Sequence, residues 1–301
     1  MTTALIGVPT NSSGTTDGVA RAPSVLRAAG LLASLQRSAD VVDLGDISVD
    51  PPSSDRGPDG IIDAAGLAAT LARLRDVVGR ARRNGQRVLL VGGDCPIVIG
   101  ALAGCADADD RGEPPGLLFI DGHEDAWPPA DSTTGEAADM ELGLLIGRSL
   151  DGLDPALAAQ LPRLPVDRVR VLGARDRDEL ADAGIDSIGP VVTVVDDAAV
   201  RADPARAARE GVRAIGGPAR PWWLHVDLDV LSSDALAAVD YQQPGGLDWV
   251  HLETLADTAL AVGGCVGVTV TIYNPDLDLE RGGAARIVAW LAHLAIALDP
   301  A

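Results

Sequence analysis

Short apolar runs alternate with helix-length segments along almost the whole chain, and this alternation constrains the fold more than any other feature. Such an order predicts βαβ units, in which the strands are parallel and the helices cover the sheet. We predict strands at 4–8, 87–94, 116–121, 168–174, 191–196, 221–229 and 264–274. Segment 63–85 has apolar residues at helical spacing and ends in glycine, and 280–298 is predicted to be the last helix. The sequence therefore indicates an α/β fold with a mainly parallel sheet.

The pattern continues without a visible domain boundary. The 301 residues, of which 47% are hydrophobic and 23% charged, suffice for one large α/β domain or two small ones. No linker rich in Pro, Gly and Ser divides the chain, and the best loop candidate, 49–60, lies between elements of the same pattern. We predict a single domain over 1–301.

The charge balance excludes several classes of partner. The formal net charge is −20, and the sequence contains no basic cluster. Nucleic acid and anionic membrane surfaces are therefore not expected partners, whereas a small-molecule substrate is. Every basic residue is Arg, and the absence of Lys excludes Schiff-base chemistry, a pyridoxal phosphate anchor and a P-loop Lys.

The cysteines and the N-terminal residues predict the compartment. Cys95, Cys105 and Cys265 are too few and too scattered for a disulfide framework. The first apolar stretch has no positively charged segment before it, and no apolar run approaches the roughly 18 residues of a membrane span. We expect a cytoplasmic location.

Two tight clusters of metal-type residues each follow a predicted strand. Asp121, His123 and Asp125 form one cluster, and Asp227 and Asp229 form the other. Alternate residues of a strand point the same way, so each cluster would face one side if its chain stays extended. Hard oxygen donors with one imidazole suit manganese or a similar divalent ion, and four close carboxylates favour two ions over one. Helix capping is the alternative, but a cap needs only one acceptor.

Six short motifs are spread over essentially the whole chain: GVARAPSVLR (18–27), GGDC (92–95), DGHED (121–125), HVDLD (225–229), PGGL (244–247) and IYNPDLD (272–278). They resemble, in the same order, motifs of the arginase/agmatinase/formimidoylglutamase (ureohydrolase) superfamily. The superfamily counterparts of the later five are GGDH, D-A-H-x-D, S-x-D-x-D, GGL and E-x-N-P. This resemblance implies a three-layer αβα fold and a pair of divalent ions, most often manganese. It implies that Asp121 and Asp227 bridge the ions, that Asp125 holds one, and that His123 and Asp229 hold the other.

The first departure from the family pattern is Cys95, which stands where the family has its first His ligand. A thiolate is softer than imidazole and should shift the preference toward Zn, Fe, Co or Ni. The alternative is a small buried Cys with one ion weakly bound. A hydroxyarginine-hydrolysing branch of the family shares the substitution.

The second departure removes a proton shuttle. The family's S-G-N-x-H-G loop corresponds to TTGEAADMELG (133–143), where Ala138 replaces the His. Glu136, Asp139 or Glu141 could serve as the general acid instead if burial raised its pKa. Glu136 and Asp139 could equally be acids of a first helical turn that complement the helix dipole.

The third departure concerns the substrate. The Glu of E-x-N-P, which grips a guanidinium in the family, is Ile272 here, so plain arginine is not the expected substrate. Asp178 matches the family position that helps to read the substrate's amino end; a solvated loop or cap acid is the other interpretation.

Together these features predict a binuclear metal-dependent hydrolase that cleaves a linear amidine or guanidine, possibly N-substituted or N-hydroxylated. Two alternatives stay open: an amide-type carbon–nitrogen hydrolase, because Ile272 makes the pocket less selective for a cation, and a non-catalytic metal-binding protein of the same fold. By the family resemblance we also expect a homo-oligomer, a trimer or hexamer.

Overall fold

One sheet of eight parallel strands forms the centre of the computed structural model, which describes residues 1–298. The strands are β1 (Thr3–Val8), β2 (Val41–Asp46), β3 (Arg87–Gly92), β4 (Gly116–Ile120), β5 (Val169–Ala174), β6 (Thr193–Asp196), β7 (Trp222–Asp227) and β8 (Cys265–Thr271). Their order in the sheet is β2-β1-β3-β8-β7-β4-β5-β6, and every pairing is parallel. The predicted α/β class and parallel sheet are confirmed.

Helices cover both faces of the sheet. They are α1 (Ala22–Ala28), α2 (Leu31–Ser38), α3 (Ala64–Arg83), α4 (Ile97–Ala108), α5 (Glu141–Leu145), α6 (Pro155–Ala158), α7 (Arg177–Ala183), α8 (Asp197–Ala202), α9 (Pro204–Ala214), α10 (Trp249–Val262) and α11 (Gly282–Leu298). No helix within 1–298 is long and apolar enough to cross a membrane.

Alternation along the strands produces two apolar cores, one on each face. Leu5 and Leu89 belong to the core that contains α2, α10 and α11, whereas Ile6 and Leu90 belong to the core that contains α3 and α4. Because successive strand side chains point to opposite faces, a strand buried on both faces reads as a continuous apolar run. This pattern made the central strands predictable, and the layers are αβα as the resemblance implied.

The predicted helices 63–85 and 280–298 are confirmed as α3 and α11, and each predicted strand is confirmed to within three residues at both ends. Strand β2 was not predicted. It lies at the edge of the sheet, where Val41 is its one buried residue and Asp43 and Gly45 are half-buried, so its sequence VVDLGD lacks a continuous apolar run.

Strands β3, β8, β7 and β4 are neighbours at the middle of the sheet, and their carboxyl ends meet at one edge. Ligands bind at this edge in open α/β sheets. Glycine is required at one point there, because a Cβ on Gly93 would lie 1.9 Å from the Thr10 carbonyl oxygen. Ile272 N donates to Gly93 O at 2.8 Å, which ties the chain after β8 to the chain after β3.

Candidate metal centre and active-site cavity

Cys95 lies directly beside a predicted ligand on another strand. Its Sγ donates to Asp227 Oδ2 at 2.7 Å and lies 2.9 Å from Thr271 Oγ1. The three residues follow β3, end β7 and end β8, so the order of strands in the sheet brings them together. The thiol is buried at the centre of the predicted site.

The second group of predicted ligands lies around His123. Its Nδ1 is 3.0 Å from Asp229 Oδ2 and 3.6 Å from Asp121 Oδ1. Asp229 Oδ1 accepts a hydrogen bond from Gly122 N at 3.1 Å, which fixes the loop after β4 against the loop after β7. One ligand atom from each of Asp121, His123 and Asp229 lies within 4.8 Å of the others.

These side chains converge through turns and not through an extended chain. The prediction that Asp227 and Asp229 share one face of a strand was therefore wrong, and the extended chain on which the same argument for Asp121, His123 and Asp125 depended is not present. Asp121 Oδ1 accepts from His123 N at 2.7 Å, and Asp125 has a φ of 43°, in the left-handed region. Likewise β7 ends at Asp227, whose carboxylate accepts from Asp229 N at 2.7 Å within a short 3-10 turn. Carboxylates that accept from the backbone two residues ahead form such turns readily.

The electrostatics of the cluster fit divalent cations. Burial, with a further contribution from Asp229, raises the pKa of Asp121 to about 6. Burial and nearby carboxylates also hold the pKa values of Asp125 and Asp227 well above their usual range. Asp121 Oδ2 is buried and has no hydrogen-bond partner in the described part of the chain. Cations between these carboxylates would stabilise their charged forms, which is how metal binding is linked to pKa.

Two further residues at the cluster were not predicted as ligands. Glu141 and His225 are fully buried, and neither carboxylate oxygen nor either ring nitrogen has a hydrogen-bond partner within 1–298. Burial lowers the pKa of His225 to about 3, so the ring is neutral. One atom from each of Cys95, Asp121, Glu141 and His225 lies within 4.8 Å of the other three. His225 precedes Asp227 by two residues on a strand, and this same-face spacing was a usable signal.

A cavity of about 210 Å³ is bordered by the metal-type residues His123, Asp125, Asp227 and Asp229. Its other walls contain the acids Glu136, Asp139, Asp176 and Glu179, the aromatic residues Trp127 and Tyr241, and Ile272. A larger cavity of about 460 Å³ is lined by residues such as Thr10, Asp63 and Pro96 and by none of the predicted ligands. The smaller cavity is therefore the candidate active site.

Comparison with known proteins gives the family. The sequence model of the Arginase family matches residues 1–297. The chain belongs to the arginase family. The arginase of Brevibacillus brevis is 27% identical over 299 residues, which cover 96% of this chain and 95% of that one. The structure of the arginase from Bacillus caldovelox matches with a TM-score of 0.82 at 25% identity and 97% coverage of both chains. A proclavaminate amidino hydrolase from Streptomyces clavuligerus shares the fold, with a TM-score of 0.69 at 20% identity over 98% of this chain and 90% of that one.

The comparisons confirm the resemblance and the αβα fold, and they make the chain an arginase-family hydrolase. Its relatives are hydrolases of carbon–nitrogen bonds. The positions at which it departs from the family motifs are Cys95, in the buried cluster of candidate ligands, and Ala138 and Ile272, in the cavity wall.

Two of the three predicted acids line the cavity of this arginase-family chain. Burial raises the pKa of Asp139 to about 6, and its Oδ2 accepts from Ser132 at 2.9 Å and Thr134 at 2.6 Å. Burial also raises the pKa of Glu136, whose Oε2 accepts from Tyr241 Oη at 2.8 Å. Glu141 does not line the cavity, because it points into the buried ligand cluster.

The predicted substrate residue Asp178 lies in the first turn of α7, exposed and outside the residues that line the cavity. Asp176 and Glu179, on either side of it, do line the cavity. Asp176 is buried, accepts from Glu124 N at 2.9 Å, and has a pKa that burial raises to about 6. The role of Asp178 stays a prediction, and the structure adds two nearer acids that the sequence did not single out.

Ile272 occupies the cavity wall with an unusual backbone. Its φ is 66° and its side chain is 4% exposed. A β-branched residue in the left-handed region is strained by about 1–3 kcal/mol, and such strain is found mostly at functional sites. The apolar side chain thus takes the place where the family motif has its Glu.

Proposed function

We propose that this arginase-family hydrolase uses two divalent ions to cleave a carbon–nitrogen bond of a linear amidine or guanidine whose group is N-substituted or N-hydroxylated. The observation that carries the proposal is the 210 Å³ cavity, because metal-type residues and additional acids line the same space. An electron-poor, planar carbon held there would face the ligand cluster.

The acids of the cavity favour a substrate with a positively charged or polar end. Glu136, Asp139, Asp176 and Glu179 all line it, whereas no Arg does among the described residues. A concave site lined by charge of one sign concentrates ligands of the opposite sign. We propose that Asp176 and Glu179, with Asp178 at the rim, bind the substrate's amino end.

Ile272 argues against an unmodified guanidinium as the reacting group. A guanidinium that stays fully charged would lie beside an apolar wall, and a buried cation without its partner loses several kcal/mol of binding. An N-hydroxylated guanidine is less basic and can bind without a full charge. This position therefore selects for a less basic substrate.

Residues of this chain would position the substrate and move the proton. When bound, the two ions supply an activated water nucleophile and stabilise the developing negative charge. We propose Cys95, Asp121, Asp125, Asp227, His123 and Asp229 as ligands, with manganese as the family's usual metal and Zn, Fe, Co or Ni as metals that the thiol favours. Asp139 is the favoured general acid, because its pKa is about 6 and its buried Oδ1 is free to carry a proton to the departing amine.

The test is a substrate panel on purified protein loaded in turn with each metal. The panel contains arginine, agmatine, an N-hydroxylated arginine and an amide of similar size, with release of the amine and of urea, or of hydroxyurea from the N-hydroxylated substrate, as readouts. We expect the N-hydroxylated guanidine to react fastest and Asp227→Asn to abolish turnover. Asp139→Asn should slow substrates with basic leaving groups more than those with good ones.

Arginine turnover of about 10 per second or more would refute the substrate proposal. Faster cleavage of the amide would favour an amide-type hydrolase, and two bound ions without turnover of any member would favour the non-catalytic alternative. The homo-oligomer stays a prediction, which light scattering of the same samples tests.

A further inference from the structure

We propose that the ion on the Cys95 side is held by Cys95, Asp121, Glu141 and His225. In this ligand set Cys95 replaces the imidazole that the family has after β3, and His225 of β7 supplies an imidazole instead. Glu141 of α5 supplies an additional carboxylate. The inference rests on the proposed metal dependence and concerns which residues of this chain bind the first ion.

The geometry places the four side chains around one point. One donor atom from each lies within 4.8 Å of the other three, and all four residues are buried. Metal–ligand bonds of about 2.0–2.3 Å would draw these atoms slightly closer together. Asp125 and Asp227 are neighbours of this group, Asp125 through Glu141 and Asp227 through Cys95 Sγ at 2.7 Å, and they stay candidate ligands as proposed above.

His225 has no other evident role for its ring nitrogens. Its ring stacks on Phe119, with centroids 4.6 Å apart and planes at 13°, and neither nitrogen has a partner within the residues described. Trp223, two residues earlier on β7, does pair its ring nitrogen, with Thr269 Oγ1 at 2.8 Å. Buried ring nitrogens are usually hydrogen-bonded or bound to metal, so two orphaned nitrogens beside a thiol and two carboxylates point to a ligand.

Glu141 is brought to the cluster by the start of α5. Leu142 N and Gly143 N both donate to Asp125 O at 3.0 Å, which fixes the first turn of α5 against the ligand loop. A Cβ on Gly143 would lie 3.0 Å from Ala126 Cα, so this glycine permits the close approach. Both oxygens of Glu141 are buried and accept no hydrogen bond from an N–H or hydroxyl group within the described part of the chain, and the polar side chain next to them is the Asp125 carboxylate. Two buried carboxylates side by side are costly unless a cation accompanies them.

The composition of the set predicts its metal. One thiolate and one imidazole with two carboxylates suit zinc, cobalt or iron better than manganese, which prefers oxygen ligands. The second site, around His123, keeps the family's imidazole and carboxylates and should retain the family's preference. The two sites are therefore expected to differ in metal preference.

The experiment compares Glu141→Gln and His225→Ser with a matched control, Glu124→Gln. Glu124 is also a buried carboxylate near the site, but Ser187 and Ile188 N satisfy its oxygens at 2.6 and 2.7 Å. Zinc and cobalt affinities are measured by chelator competition, and stoichiometry by elemental analysis. Each test variant should bind one ion at least about tenfold more weakly and keep the other, whereas the control should match wild type. The double variant Cys95→His with His225→Ser, which restores the family residues, should recover the lost affinity.

A second measurement does not depend on the folding of those variants. His123→Gln leaves His225 as the one imidazole at the site. The other two histidines lie on helices and pair with acids, His251 of α10 with Asp248 just before that helix and His293 of α11 with Asp257 of α10. X-ray absorption of zinc bound to this variant should show one sulfur and one imidazole on the same ion. Sulfur without imidazole, or unchanged affinities in both Glu141→Gln and His225→Ser, would overturn the assignment while leaving the metal-dependent function standing. A wild-type chain that binds no ion would overturn both.

Discussion

Replacing Asp121 by Asn should stabilise the metal-free protein and abolish most of its stabilisation by metal. Asp121 is fully buried, its Oδ1 accepts from His123 N, and its Oδ2 has no partner in 1–298. Asn keeps the acceptor and removes the charge. The variant therefore separates the contribution of the carboxylate to ion binding from its effect on the metal-free fold.

The magnitude follows from the pKa, which burial and Asp229 raise from 3.8 to about 6 in the folded chain. The pKa of Asp121 is thus higher in the folded chain than in the unfolded chain. The stability linked to its bound proton is therefore fully present below the unfolded-state pKa and is lost as pH rises through the folded-state pKa. Relative to a side chain that stays neutral, Asp121 thus lowers the free energy of unfolding by roughly 3 kcal/mol at about pH 7.5 and by roughly 1 kcal/mol at about pH 4.5. For a chain of this length, roughly 3 kcal/mol corresponds to about 5 °C in Tm.

Calorimetry with chelator should therefore show Asp121→Asn melting about 5 °C above wild type at neutral pH, with the gap shrinking toward about pH 4.5. Added metal at a hundredfold excess over Kd should raise the free energy of unfolding of wild type by about 2.7 kcal/mol, and its Tm accordingly. The same addition should raise the Tm of the variant much less. Asp234→Asn, at an exposed position in the loop after β7, controls for charge removal. Equal metal-induced shifts in wild type and Asp121→Asn would refute the bridging role, and a metal-free variant no more stable than wild type would refute the electrostatic argument.

Three further predictions test the thiol, the cavity wall and the packing. Cys95 should resist alkylation in the metal-loaded protein and react after chelation, because a bound thiolate is both occupied and shielded; equal mass-spectrometric labelling rates would support an inert buried thiol. Ile272→Glu should raise kcat/KM for arginine by at least about tenfold relative to its N-hydroxylated form, since a carboxylate returns beside the guanidinium; an unchanged ratio would contradict the role of this wall. Gly104→Ala should lower the free energy of unfolding by about 1–3 kcal/mol in urea titrations, because its Cβ would lie 2.5 Å from Arg75 O, between α3 and α4. Gly282→Ala is the control and should have little effect, because its Cβ would lie in open space.

The sequence alone determined the class of fold and most of the residues at the site. Continuous apolar runs specified the strands buried on both faces, because a central parallel strand has no polar side to interrupt the run. The same reading missed the edge strand β2, where solvent covers part of the surface and the apolar signal is halved. Ligands placed just after strands were predictable for a related reason, since all parallel strands end at one edge of the sheet.

Only the tertiary structure decided which of these side chains meet. Cys95 and Asp227 are 132 positions apart in sequence, and their contact depends on β8 lying between β3 and β7. From the sequence, Glu141 was a candidate general acid in the same segment as Glu136 and Asp139. In the structure, the turn into α5 directs Glu141 into the buried cluster, whereas Glu136 and Asp139 line the cavity. His225 lay inside a recognised motif, yet its two unpaired nitrogens became apparent only once the packing around β7 was known. Burial and hydrogen bonding depend on long-range contacts, so a local sequence pattern names candidate groups while the fold determines their chemistry.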